Sequence, residues 1–168
     1  MKDNIVCSGA LFYSTSTKRF LFLQRTDRKT AGTWGLVGGK SKYLESAFEG
    51  LKREIHEEVG DTPKFKKVIP LEMFTSNDQK FFFHTYLIAI DAEFIPKLND
   101  EHSGYCWTAF ECWPKNLHMG LKNTLNTFRE QINSVFGRYN YRNGSIPRER
   151  LVPVNLIQTK VIPPCEIR

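Results

Sequence analysis

The chain has 168 residues, 40% of them hydrophobic, which suffices for one domain with a proper core and a short appendage. Its net charge of +6 is unevenly spread: from Val135 onward six basic residues stand against two acidic ones, so the first 134 residues are nearly balanced and the excess belongs to a basic tail, which is not a basic binding face. No stretch approaches the roughly 20 apolar residues that span a bilayer, and "MKDNIVCSGALFY" lacks a signal-peptide pattern, so a soluble cytoplasmic protein without membrane partners is expected.

In chain order, "NIVCSGALFYS" and "KRFLFLQR" are rich in Val, Ile, Leu and Phe and flank the turn-like "TSTK", which predicts a β-hairpin. "TAGTWGLVGGK" carries glycines at 32, 35, 38 and 39 and reads as a loop that bends tightly or approaches a ligand closely. The period then changes. Leu44, Phe48, Leu51, Ile55 and Val59 recur at helical spacing, Ser46 and Glu49 fit a capping box, and Gly60 suits a helix stop, so a helix is predicted over Ala47–Val59. "KFKKVIPLEMFTS" and "KFFFHTYLIAIDAEFI" resemble strands, and a second helix is predicted from about His118. Strands and helices mix without βαβ alternation, which points to an α+β chain or an α/β/α sandwich. The four cysteines, at 7, 106, 112 and 165, have neither metal-finger nor CxxC spacing, and free thiols are expected. The chain divides into a domain over 1–136 and a basic extension over 137–168 with four prolines and little periodicity, either a packed strap or partly disordered.

On the first helix Glu54, Glu57 and Glu58 fall on one side, three and four positions apart. Like charges at that spacing repel by a few tenths of a kcal/mol per pair, roughly, and oppose the macrodipole near a helix C-terminus. A divalent cation reverses the sign, since hard ions such as Mg²⁺ prefer carboxylate oxygens and keep waters that substrate phosphates can displace.

Gly39, then five residues, Glu45, then seven, then "REIHEEVG" over Arg53–Gly60 resembles the Nudix box, the signature of the Nudix hydrolases. Asp61, where the family usually has an apolar residue, and Val37, where proline is common, depart from the pattern without touching a ligand. The resemblance extends over most of residues 5–134, including "GTWGLVGG" and "EHSGYCW", and implies an α/β/α sandwich around a mixed sheet. It further implies hydrolysis of a nucleoside diphosphate linked to another group. Carried onto this sequence, it assigns Mg²⁺ or Mn²⁺ to Glu54, Glu57 and Glu58 with the Gly39 carbonyl, gives Arg53 a bracing role on a glutamate of the cluster, and lets Glu45 tie the loop to the helix. Glu101 falls where several members carry another metal ligand or the general base; Glu54 is the other candidate for the base. Arg25 and Trp34 are candidate substrate-binding residues, the first for a phosphate and the second for a base, against readings as a strand-end arginine and a core aromatic. The expected partner is a small nucleotide, with a homodimer also expected from the likeness. Two alternatives stand beside it: a non-catalytic Nudix-like nucleotide-binding module, and hydrolysis of an RNA 5′ end gripped by the basic tail.

Overall fold

Residues 4–140 are described in the computed structural model. The first strand, β1 (Ile5–Ser14), sends Ala10 and Phe12 to one face and Leu11 and Tyr13 to the other, and all four are buried, so it needs cover on both sides. In β2 (Arg19–Arg25), Leu21 and Leu23 join Ala10 and Phe12 while Phe20 and Phe22 join Leu11 and Tyr13.

Two further strands, β3 (Trp34–Gly35) and β4 (Val37–Lys40), precede the first helix, α1 (Ala47–Val59). That helix covers one sheet face through Leu51, Ile55 and Val59. Beyond it come β5 (Lys67–Thr75), β6 (Phe81–Ile90), β7 (His102–Ala109), α2 (Met119–Thr127) and α3 (Arg129–Asn140). Leu121, Leu125 and Ile132 of the last two helices cover the other face. This is the expected α/β/α sandwich.

The sheet is mixed. Strand β6 runs parallel to β1 from Ile5↔Phe81 to Ser14↔Ile90, β5 lies antiparallel on β6, and β7 lies antiparallel on β2. Strands β1 and β2 pair only at Tyr13↔Phe20 and Ser14↔Arg19, next to their turn, and then part. Into the gap runs the glycine-rich segment, β3 pairing with β2 and β4 with β1. The segment read as a loop is therefore two short strands. Its glycines serve close approach: Gly38 has φ +148°, and a β-carbon there would stand 2.1 Å from the Ser8 carbonyl oxygen.

Other expectations need adjusting. Leu44 is outside the apolar stripe, with φ +68° and 87% exposed, because Ser46 caps the helix and the chain turns away before it. The second helix breaks at Phe128, whose N–H bonds the Thr124 carbonyl while its own carbonyl accepts from Ile132, so α2 ends and α3 begins there. His118 occupies the N-cap position of α2 but makes no side-chain cap bond. Cys7 and Cys106 are free thiols, whereas Cys112 is disulfide-bonded, which its sequence spacing does not reveal. Helix α3 continues through the domain boundary expected at 136; the strap or disorder expected beyond it, and Cys165, lie outside the described residues. None of the described helices is long and apolar enough to cross a membrane.

Candidate active site

Helix α1 starts from a complete capping box: the Ser46 hydroxyl accepts from the Glu49 N–H (3.2 Å) and the Glu49 carboxylate accepts from the Ser46 N–H (2.9 Å). Gly60 ends it with φ +74°, its N–H bonded to the His56 carbonyl. Between these ends the apolar stripe fixes the helix against the sheet, and the polar side follows.

Arg53 organises that side. Its Nε and Nη2 donate to the two oxygens of Glu45 at 2.9 and 3.0 Å, Nη2 also to the Lys40 carbonyl at 2.9 Å, and Nη1 to Glu54 at 2.8 Å and Glu57 at 3.1 Å. These five contacts match the five N–H groups of a guanidinium, a fork that no lysine reproduces. The Arg53 hydrogen bond and the Lys42 N–H hold Glu45 down at about 2, and Arg53 itself is pushed above its ordinary range by Glu45 and Glu54. Both roles implied by the family likeness, bracing by Arg53 and anchoring by Glu45, thus have matching contacts. The backbone carbonyl of Lys40 was not anticipated.

Glu54 lies against Gly39 so closely that a β-carbon there would stand 2.6 Å from the carboxyl carbon. Glu58, unlike its two neighbours, is buried at 2% exposure. One of its oxygens accepts from the Gly38 N–H at 2.7 Å, and the other lies 3.7 Å from Nε2 of His102. Burial pushes its carboxyl up to about 8; the Gly38 N–H opposes this, the Glu54 and Glu101 carboxylates add to it, and Arg25 opposes it again. His102 is itself pushed down to about 4, by burial and then by Arg25, so it is neutral at pH 7.

Glu101 and Arg25 are therefore both near enough to act on Glu58 electrostatically. Glu101 is exposed and held through its backbone, its N–H bonding Asn99 and its carbonyl accepting from Thr26. Arg25 donates from Nε to Asp27 and Thr30, both at 2.8 Å, on the rim. Trp34 packs part of its surface on the second core, and its backbone bonds Asn116 and His118, which ties β3 to the start of α2. His102 and Asn99 were missed from the sequence. Strand alternation could not have found His102: it puts His102 in phase with Cys106 of the second core, and only the register shift opposite Gln24 and Arg25 brings it to the side of α1.

Do these residues fit a divalent cation? Glu58 is a buried acid with one oxygen unbonded, crowded by two further carboxylates and faced by a neutral imidazole; a dication would offset that charge. The donors are hard oxygens: Glu54, Glu57, Glu58 and the Gly39 carbonyl would hold the ion. Among the described residues no three acidic, histidine or cysteine side chains stand together so that they could hold a metal ion as placed. Arg53 engages one oxygen each of Glu54 and Glu57. Water or substrate oxygens would fill the remaining positions, as Mg²⁺ commonly allows.

A pH dependence follows. In the metal-free protein Glu58 keeps its proton up to about 8, against 4.5 for an ordinary glutamate, so this group's contribution to stability is greatest below pH 4.5 and is lost as pH rises towards 8. Cation binding must displace that proton. Magnesium affinity is expected to rise about tenfold per pH unit from 6 to 8 and then level, with one proton released per ion at pH 7, measured calorimetrically in buffers of different ionisation enthalpy.

The NUDIX domain family model matches residues 5–128. Among solved structures, the MutT NUDIX hydrolase from Burkholderia pseudomallei is 25% identical, with 74% of this chain and 98% of that one covered at a TM-score of 0.58. The MutT protein from Methanosarcina mazei Go1 is 26% identical over 84% of this chain and 99% of its own, at a TM-score of 0.56. An Ap4A hydrolase from C. elegans shares the fold at 18% identity, covering 76% of this chain and 98% of that one with a TM-score of 0.60. No curated protein sequence matches the chain.

Proposed function

The chain belongs to the NUDIX hydrolase family, whose members cleave nucleoside diphosphates linked to another group, and from that premise we propose that it is a divalent-metal-dependent hydrolase of the phosphoric anhydride in a small nucleotide. The observation that carries this reading is the Arg53 fork, which sets Glu45, Glu54 and Glu57 in one constellation beside buried Glu58. A solvated helix gains nothing from such a cluster; an anion-cleaving site does.

When bound, Mg²⁺ or Mn²⁺ supplies charge neutralisation at the diphosphate and acidifies a coordinated water. The protein's own groups do the rest. Glu54, Glu57 and Glu58 with the Gly39 carbonyl would provide the oxygen donors, and Arg53 holds two of those carboxylates in place. Arg25 sits on the rim, where its guanidinium can reach a substrate phosphate. Of the two candidates for the base, Glu101 is favoured, because Glu54 already spends an oxygen on Arg53 while Glu101 is fixed through its backbone only. Trp34 is kept as a stacking surface for the base, through whatever part of its ring the core leaves open.

The test is a panel of nucleoside triphosphates, dinucleoside polyphosphates and nucleotide sugars incubated with Mg²⁺, with products resolved by chromatography. Hydrolysis of none of them, with either Mg²⁺ or Mn²⁺, would remove the proposal. On the best substrate, Glu101→Gln is expected to lower kcat by about 10²-fold or more while leaving KM and metal affinity unchanged, and to abolish the acid limb of the pH–rate profile. If Glu54→Gln instead removes that limb, the base is Glu54.

A further inference from the structure

Each carboxylate oxygen of Glu57 faces a cationic side chain. Oε2 accepts from Nη1 of Arg53 at 3.1 Å, and Oε1 lies 3.7 Å from the Lys42 ammonium. The two cations differ in freedom. Arg53 is also bonded to Glu45, Glu54 and the Lys40 carbonyl, so it stays where the helix and loop hold it. Lys42 reaches Glu57 through one contact on a flexible four-carbon stem, with 66% of its side chain exposed.

The backbone from which that stem hangs is fixed. The Lys42 N–H donates to Glu45 at 2.7 Å, the Lys42 carbonyl accepts from the Glu45 N–H at 3.1 Å, and the Ser41 N–H donates to the Val6 carbonyl at 2.8 Å. Among the described residues Glu57 is the one carboxylate within ion-pair distance of the Lys42 ammonium. An anchored backbone with a loose head keeps this ammonium beside the carboxylate cluster even when it lets go of Glu57. Charge then decides its place. A divalent cation on Oε1 of Glu57 would stand against a like charge at close range, so Lys42 must move off. The phosphates of a nucleotide supply the negative charge that the freed ammonium lacks, and lysine binds phosphate as a point charge without needing a fixed fork.

We propose that Lys42 is an internal counter-ion of the cation site: it neutralises Glu57 until a cation takes that oxygen, and then passes to a phosphate of the substrate. The proposal rests on the metal-dependent reading above and adds a coupling to it. By linkage, a nucleotide that draws Lys42 away from Glu57 raises cation affinity, and a cation that frees Lys42 raises nucleotide affinity by the same factor.

The experiment is a calorimetric titration of Mg²⁺ into the parent, Lys42→Met and Lys52→Met. The first variant keeps most of the stem without its charge; the second removes a charge that stands over the Phe48 ring and not at Glu57. Without nucleotide, Lys42→Met is expected to bind Mg²⁺ about threefold more tightly than the parent, the strength of an exposed ion pair, and Lys52→Met to stay within about 1.5-fold. With Mg²⁺ saturating, methylenediphosphonate, a diphosphate analogue without a nucleoside, is expected to bind Lys42→Met about tenfold more weakly than the parent, the loss of one charge-assisted contact. An ordinary surface pair would produce neither change, and an unchanged melting temperature excludes a general loss of fold. Mg²⁺ affinity in Lys42→Met equal to or below that of the parent, a gain matched by Lys52→Met, or the same behaviour of parent and Lys42→Met towards methylenediphosphonate would overturn the counter-ion while the hydrolase reading stands. No uptake of Mg²⁺ or Mn²⁺ by the parent would sink the hydrolase reading and the counter-ion with it.

Discussion

Glu57→Gln is expected to lower kcat/KM on the best substrate by about 10³-fold, the loss of several kcal/mol of transition-state charge stabilisation. The substitution is nearly isosteric and removes one negative charge. Its side chain is 47% exposed, and a glutamine oxygen can still accept from Nη1 of Arg53, so the fold should be unaffected. An unchanged melting curve with collapsed turnover is the expected pair of results. Full activity in this variant would remove Glu57 from the metal set. The neighbouring Glu58→Gln should behave differently: it takes away a carboxyl that burial keeps protonated up to about 8, so the metal-free protein should lose little stability at pH 7.

Gly38→Ala is expected to destabilise the fold by about 3 kcal/mol or more, enough to leave most of the protein insoluble or unfolded at 37 °C. Two costs combine there. With φ at +148° the backbone is in a region that L side chains rarely adopt, and the new methyl would stand 2.1 Å from the Ser8 carbonyl oxygen, with Gly9 Cα at 2.8 Å. Backbone fills both contacts, so no rotamer change relieves them. Gly39→Ala offers the contrast. Its methyl would meet the Glu54 carboxylate, a side chain that can swing away, so this variant should fold but lose activity as Glu54 leaves its place. Chemical denaturation of the two variants side by side separates these effects; equal stability losses would contradict the account.

Much of this was legible in the sequence because the signals are local. The capping box, the apolar stripe and the glycine stop depend on neighbours a few positions away, and all three are present, the stripe without the Leu44 that was read as its start. The three glutamates at helical spacing already implied a cation. Less legible was whatever depends on which strands meet. Only two residue pairs join β1 and β2 before they part, and nothing in "TAGTWGLVGGK" announces that it fills the gap as two strands. For the same reason the special status of Glu58 was hidden: spacing places it with Glu54 and Glu57, but only the β4 backbone and His102, 44 positions further on, make it a buried acid. Arg53 was assigned to one glutamate by likeness, whereas its fork spans Glu45, Glu54, Glu57 and the Lys40 carbonyl, because loop and helix converge on it.

A calorimetric titration of Mg²⁺ at pH 8.5, with a methylene-bridged nucleoside diphosphate present, probes the carboxylate cluster itself. Saturable uptake by the parent, weakened at least tenfold in Glu57→Gln, is the predicted result. No detectable uptake of Mg²⁺ or Mn²⁺, or uptake identical in the two proteins, would contradict the site described here.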